Sequence, residues 1–165
     1  VYALNPDRLA DFRREYLGFV FQSFHLVPYL SVIENVMLPL AVSRQSNAEK
    51  RRQAQDALVQ VGLDGKAKRL PGEISGGEKE RVAVARAIVN APPVLLADEP
   101  TGNLDSGNSR EIMRMFQRLN ISGMTVIMVT HSTECSGYAG RVLQLGDGRL
   151  KADRRTAAAP LRRAS

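Results

Sequence analysis

Ile74-Ser75-Gly76-Gly77-Glu78 runs directly into Lys79-Glu80-Arg81-Val82-Ala83-Val84-Ala85-Arg86, a small-residue turn opening a helical pattern. Glycines let a backbone approach an anion closely, and Ser75 adds a hydroxyl donor. A helix predicted from about Lys79 to Val89 aims its free N–H groups and dipole at the turn. Such a turn suits a polyphosphate. Downstream, Val94-Leu95-Leu96-Ala97-Asp98-Glu99 reads as a short buried strand delivering two adjacent carboxylates at its end. Magnesium and an activated water need such oxygens beside a phosphate site. Neither stretch decides alone, since Ser-Gly-Gly occurs in plain loops and Asp-Glu after a strand can be a helix cap.

The pattern around these two stretches alternates between periods. Asp7 to Glu15 reads as a short helix, and Tyr16 to Phe21 as a strand ending at Gln22. Val32 to Leu40 is apolar and helical up to Pro39. A better-marked helix opens at Ser46, whose hydroxyl can form a capping box with Glu49. Ala54, Ala57, Leu58 and Val61 give it an apolar face, and Gly62 stops it. After the carboxylate strand, Gly107 to Leu119 reads as a helix with Ile112, Met113, Phe116 and Leu119 inward. Thr125 to Thr130 is a second apolar strand behind the Gly123 turn. Strands separated by helices imply a parallel sheet, hence an α/β fold. Arg141 to Leu145, Gly146-Asp147-Gly148 and Arg149-Leu150 read as a closing hairpin.

At 165 residues and 44% hydrophobic, the chain is long enough for one core. No apolar run approaches the ~18–20 residues that span a membrane. A single cysteine, Cys135, excludes an internal disulfide and fits a reducing compartment. The net charge of +6 would suit nucleic acid, but its placement does not. Residues 151–165 hold five cations against Asp153, which is +4 of the total. With Ala157-Ala158-Ala159-Pro160, this stretch reads as a basic disordered tail, either solvated or drawn to anionic headgroups.

Order and spacing identify the chain as resembling the ABC ATPases. Ile74 to Glu78 resembles their signature motif and Val94 to Asp98 their Walker B strand. Phe19-Val20-Phe21-Gln22 resembles the Q-loop, Asn103-Leu104-Asp105 the D-loop, and Val129-Thr130-His131 the segment of the switch histidine. The likeness covers Asn5 to Leu150. It implies a partial ABC-type P-loop NTPase core over residues 1–150, mostly parallel in its sheet, with a helical signature subdomain over about 23–90.

Carried over residue by residue, the resemblance implies that Glu99 is the carboxylate polarising the attacking water and His131 the group touching it and the γ-phosphate. It implies nucleotide contacts from Gln22, Ser75, Gly76, Gly77, Glu78, Asp98 and Asp105. ATP and Mg2+ are the implied cofactors, with Asp98 and Gln22 reaching the metal largely through water. Family members often place Asp after the switch histidine, where this chain has Ser132. Nothing is assigned to His25. Phe24, Leu26, Val27 and Tyr29 either fill the core or form a docking groove.

No G-x-x-x-x-G-K-[ST] stretch occurs in the 165 residues, and the sequence opens on Val1. The expectation is therefore an N-terminally incomplete cassette whose P-loop lies upstream. In the family the signature turn of one subunit completes the site on the P-loop of another, so a second ABC ATPase subunit is an implied partner. A transmembrane permease subunit is the other, and nucleic acid is not.

Leu96 to Asp105, with Glu34 to Leu40 upstream, is similar to the lipoprotein-releasing and macrolide-exporting subfamily. That implies a place on the cytoplasmic face of the bacterial inner membrane. Two other readings stand beside it. One is a non-catalytic fragment that pairs with a complete subunit. The other is a DNA-maintenance ATPase, disfavoured by the lack of a coiled-coil insertion and by Pro100-Thr101.

Overall fold

Three parallel strands place their carboxyl ends along one edge, and helices pack against the first and third of them. The computed structural model describes residues 5–156. Helix α1 (Pro6–Tyr16) leads into β1 (Leu17–Phe21), and α2 (Val32–Met37) continues into a 3-10 turn over Leu38–Leu40. Then come α3 (Asn47–Gln60), α4 (Gly76–Ile88), β2 (Val94–Asp98), α5 (Ser106–Ile121), β3 (Thr125–Val129) and the one-turn α6 (Thr133–Ser136). A hairpin of β4 (Arg141–Gly146) and β5 (Arg149–Arg155) closes the described chain.

The sheet order is β1-β2-β3, with Phe21 opposite Asp98 and Asp98 opposite Val129. Parallel neighbours need covered crossovers, which α4 and α5 supply. Gly18, Val20, Leu95 and Ala97 are buried on the covered face, while Phe21, Ile127 and Val129 on the opposite parity stay exposed. Gly18 is required by close approach, since a Cβ there would lie 2.3 Å from the backbone oxygen of Ala87 in α4.

Helix α4 is buried on most of its circumference, with Val82, Ala83, Val84 and Ala85 fully inaccessible. It contacts α2, α3, α5 and β1 and is the shared wall of the sheet layer and the helical region. Fully burying a Val or Leu side chain contributes about 1.5–3 kcal/mol each, so this helix is the main anchor of the core.

The capping box at Ser46 and Glu49 forms as its spacing predicts, and Gly62 ends α3 at a φ of +71°. Three stretches differ most from the sequence reading. Helix α4 starts at Gly76 rather than Lys79, because Ser75 and Glu78 form a capping box of their own. The apolar segment before Pro39 runs on through it, as a 3-10 turn needs no N–H from the ring nitrogen. Residues 151–155, expected in a disordered tail, belong to β5. There Arg141 pairs with Arg155 in register, and its side chain grips Asp153 through two bonds of 2.9 and 2.7 Å. Residues 157–165 of that expected tail lie outside the described residues, as do residues 1–4.

Candidate functional site

The parallel register sets the site. Phe21, Asp98 and Val129 are level with one another, so the residues that follow them leave the sheet together. Gln22, Asp98, Glu99 and His131 gather at this carboxyl edge, the usual ligand edge of parallel α/β sheets.

Glu99 is turned there by its backbone. Its N–H continues the ladder to the carbonyl of Val129 at 2.9 Å, but its φ is +46°, a left-handed conformation uncommon outside glycine. Pro100 follows, which ordinarily drives the preceding residue toward extended backbone. The conformation is held by bonds on the side chain. Oε1 accepts from the backbone N–H of His131 at 2.9 Å and lies 2.7 Å from its Nδ1, and Oε2 accepts from the Thr130 hydroxyl at 3.2 Å. Burial pushes the Glu99 carboxyl up, but the bonds from His131 and Thr130 together hold it below its ordinary value. An ionised carboxylate therefore sits at the edge at neutral pH.

His131 exposes 84% of its side chain, against 19% for Glu99. Ser132 caps α6 by accepting from Cys135 N at 3.2 Å, and its N–H bonds the Thr130 hydroxyl at 3.0 Å. The local network is thus closed without an acid at 132. A cleft beside it is lined by Glu99, Gly102, Leu104, Ser106, His131 and Ser132.

Gln22 is exposed and lies against Gly102, where a Cβ would come within 2.8 Å of its Nε2. Its carbonyl accepts from Asn103 Nδ2 at 2.9 Å. Asp98 is exposed at the end of β2, and its carboxylate has no hydrogen-bond or ion-pair partner among the described residues.

Ser75, Gly76, Gly77 and Glu78 form a second group. Ser75 Oγ accepts from Glu78 N at 3.2 Å, and the Glu78 carboxylate accepts from Ser75 N at 2.8 Å and pairs with Lys66 at 3.3 Å. Glu78 therefore caps its own helix, and the Ser75 backbone bond is the main reason its carboxyl stays below the ordinary value. The N–H groups of Gly76 and Gly77 have no intrahelical acceptor, as at any helix start. Asp105 belongs with this group. It caps α5 through Asn108 N at 2.9 Å, the bond that contributes most to holding its carboxyl down, and also accepts from Asn108 Nδ2 at 2.6 Å. Asn108 in turn closes over Gly77, where a Cβ would meet its Oδ1 at 2.1 Å. Among the described residues, no hydrogen bond or ion pair joins Ser75–Glu78 or Asp105 to Gln22, Asp98, Glu99 or His131.

Residues 3–102 match the family model described as ABC transporter. The chain belongs to the ABC transporter family. It is 43% identical over 161 residues to the macrolide export ATP-binding/permease protein MacB of Sodalis glossinidius, covering 98% of this chain and 25% of that protein. It is 46% identical over 151 residues to the lipoprotein-releasing system ATP-binding protein LolD of Syntrophotalea carbinolica, covering 91% of this chain and 66% of LolD. The chain thus spans a quarter of that MacB and about two thirds of that LolD. Its fold matches a dimeric structure of a post-hydrolysis state of the ATP-binding cassette MJ0796 bound to ADP and Pi. The TM-score is 0.81 at 39% identity, over 93% of this chain and 68% of that one.

Several residues that shape this ABC cassette site are not evident in its sequence. Thr130 and Asn103 act through hydrogen bonds to partners 31 and 81 positions away. Asn35, fully buried, accepts from Val27 N and donates to the carbonyls of Val27, Leu30 and Ser31, pinning the loop that follows Gln22. In that loop Tyr29 is 80% exposed, while Phe24, Leu26 and Val27 are half-buried. Arg86 stands out in the sequence as a single cation within the apolar run from Val82 to Val89.

Proposed function

We propose that this chain carries the signature, Walker B and switch portion of an ATP-hydrolysing subunit of a bacterial ABC exporter. The observation that carries the reading is the Glu99–His131 pair beside Asp98, whose carboxylate has no partner among the described residues, at one sheet edge. The similarity to MacB and LolD supports the lipoprotein or macrolide and peptide export class, with a transmembrane permease and a second ATP-binding subunit as partners. Among the described residues no helix is long and apolar enough to cross a membrane. The proposed location is the cytoplasmic face of the inner membrane, docked to that permease.

The residues suit Mg2+ and a polyphosphate. Asp98 offers a carboxylate with no partner among the described residues, and Gln22 an amide at the same edge. Among the described residues, no cluster of three or more His, Cys, Asp or Glu could hold a metal by itself. That suits an ion keeping water and phosphate oxygens in its shell. When bound, Mg2+ would neutralise charge on the transferred phosphoryl group.

Glu99, ionised and fixed by three hydrogen-bond contacts, would orient the attacking water and accept its proton. His131 would hold Glu99 in place while presenting its exposed ring to the phosphate side. Ser75, Gly76 and Gly77 would offer N–H and hydroxyl donors to the nucleotide of the facing subunit, with Asp105 at that interface. Their separation from Glu99 within one chain supports action in trans.

The test is Mg2+-dependent ATP hydrolysis by the native protein and by Glu99→Gln. The proposal expects turnover in the first and a loss of about 10²-fold or more in the second with ATP binding retained, the scale for removing a positioned general base. Equal turnover in both would overturn it.

A further inference from the structure

Arg86 in α4 carries a guanidinium that makes no salt bridge among the described residues and instead holds a distant loop. Its Nη1 donates to the carbonyl of His25 at 2.5 Å and its Nη2 to the carbonyl of Phe24 at 2.6 Å. Phe24 and His25 stand at φ +57° and +47°, two consecutive non-glycine residues in the left-handed region. Such a conformation persists only where surrounding contacts over-determine it. Two charge-assisted bonds from one planar group supply that constraint.

The same turn is held from its other side. Asn103 donates to the carbonyl of Gln22, and the Gln22 side chain rests on Gly102. Phe21 and His25 further close the turn, with ring centroids 5.1 Å apart. Residues 22–25 therefore bridge the segment just after Glu99 and the body of the helix that begins at Gly76.

Glu80 does not draw Arg86 away from the turn. It lies on α4, fully buried, and neither carboxylate oxygen has a hydrogen-bond partner among the described residues. Burial pushes its carboxyl up to about 8 against the opposing pull of the Arg86 charge, and no hydrogen bond or salt bridge joins the two side chains among the described residues.

We propose that Arg86 is a positioning residue that clamps the Gln22 turn to the signature helix, so that displacement of Ser75–Glu78 is transmitted to the edge holding Asp98 and Glu99. Its catalytic consequence rests on the ATPase reading above; the clamp itself rests only on the bonds to Phe24 and His25.

The experiment has two arms. Hydrogen exchange is followed in this chain for wild type, Arg86→Lys and Arg86→Met. Lysine keeps the charge but presents a single ammonium, so it cannot reproduce the fork. Amides of residues 22–27 are expected to exchange about tenfold faster or more in both variants while those of β2 and α5 are unchanged, as for release of one locally stabilised segment. Exchange at 22–27 equal to wild type overturns the clamp whatever turnover does. Should Arg86→Met fail to fold, Arg86→Lys decides.

In the native protein, kcat for ATP is expected to fall about tenfold in Arg86→Lys with KM changed less than about twofold, the pattern of a lost transition-state arrangement. Unchanged kcat overturns the coupling. A wild type that hydrolyses no Mg2+–ATP refutes the ATPase reading instead, and the exchange arm still judges the clamp.

Discussion

Glu99 Oε1 contacts His131 twice, at 2.7 Å from Nδ1 and 2.9 Å from the backbone nitrogen. The two residues are 32 positions apart and meet because β2 and β3 pair in parallel with Asp98 opposite Val129. A shift of register by one residue would separate them and turn Val126 and Met128 outward. The pairing of catalytic candidates and the packing of the sheet are therefore one constraint.

Glu80 makes stability depend on pH. Burial pushes its carboxyl up from 4.5 to about 8. Above pH 4.5 the unfolded chain has released this proton while the folded chain retains it, so stability present at low pH is lost progressively up to about pH 8 and then levels off. At about 1.4 kcal/mol per pH unit of differential protonation, the loss is on the order of a few kcal/mol. Urea unfolding midpoints should fall between pH 5 and 8 in wild type and fall much less in Glu80→Gln. Equal slopes in the two proteins would refute the assignment.

Gly77→Ala should destabilise the chain by about 1–3 kcal/mol, the range for overpacking a filled site. The obstacle is the Asn108 side chain, so Asn108→Ala should absorb part of that cost. The double variant is expected to lose less than the sum of the two single losses in thermal melts, as for residues in contact. Strict additivity would mean that Asn108 does not close over Gly77.

At Gly18 the obstacle is backbone, the oxygen of Ala87. Neither α4 nor β1 can yield there without moving the core. Gly18→Ala is expected to cost at least about 3 kcal/mol, whereas Gly72→Ala, with nothing within 4 Å of its added Cβ, should stay within about 0.5 kcal/mol. Denaturant midpoints of the two variants check the contrast.

Much of this arrangement is legible before any coordinates, because it depends on local pattern. The apolar runs ending at Phe21, Ala97 and Thr130 mark the three strands to within a residue or two, and the Ser46–Glu49 spacing marks a helix start. The same spacing at Ser75–Glu78 is obscured by two glycines, which suggest a loop although both lie inside α4. Beyond Leu150 the basic composition suggests a tail, yet Asp153 finds Arg141 across the hairpin, a pairing that composition cannot reveal. Arg86 is conspicuous as a cation in an apolar run, but its acceptors are carbonyls 61 and 62 residues away. Such bonds depend on the fold and leave no local trace.

The central claim is that Glu99 and His131 act as a unit in ATP hydrolysis, and a double-mutant cycle on steady-state turnover of the native protein tests it most directly. Glu99→Gln and His131→Ala are each expected to lower kcat by about 10²-fold or more, and the double variant to be no more than about threefold below the poorer single one, since residues acting as a unit are grossly non-additive. Losses that multiply in the double variant would contradict the account, as would a His131→Ala protein that turns over ATP like wild type.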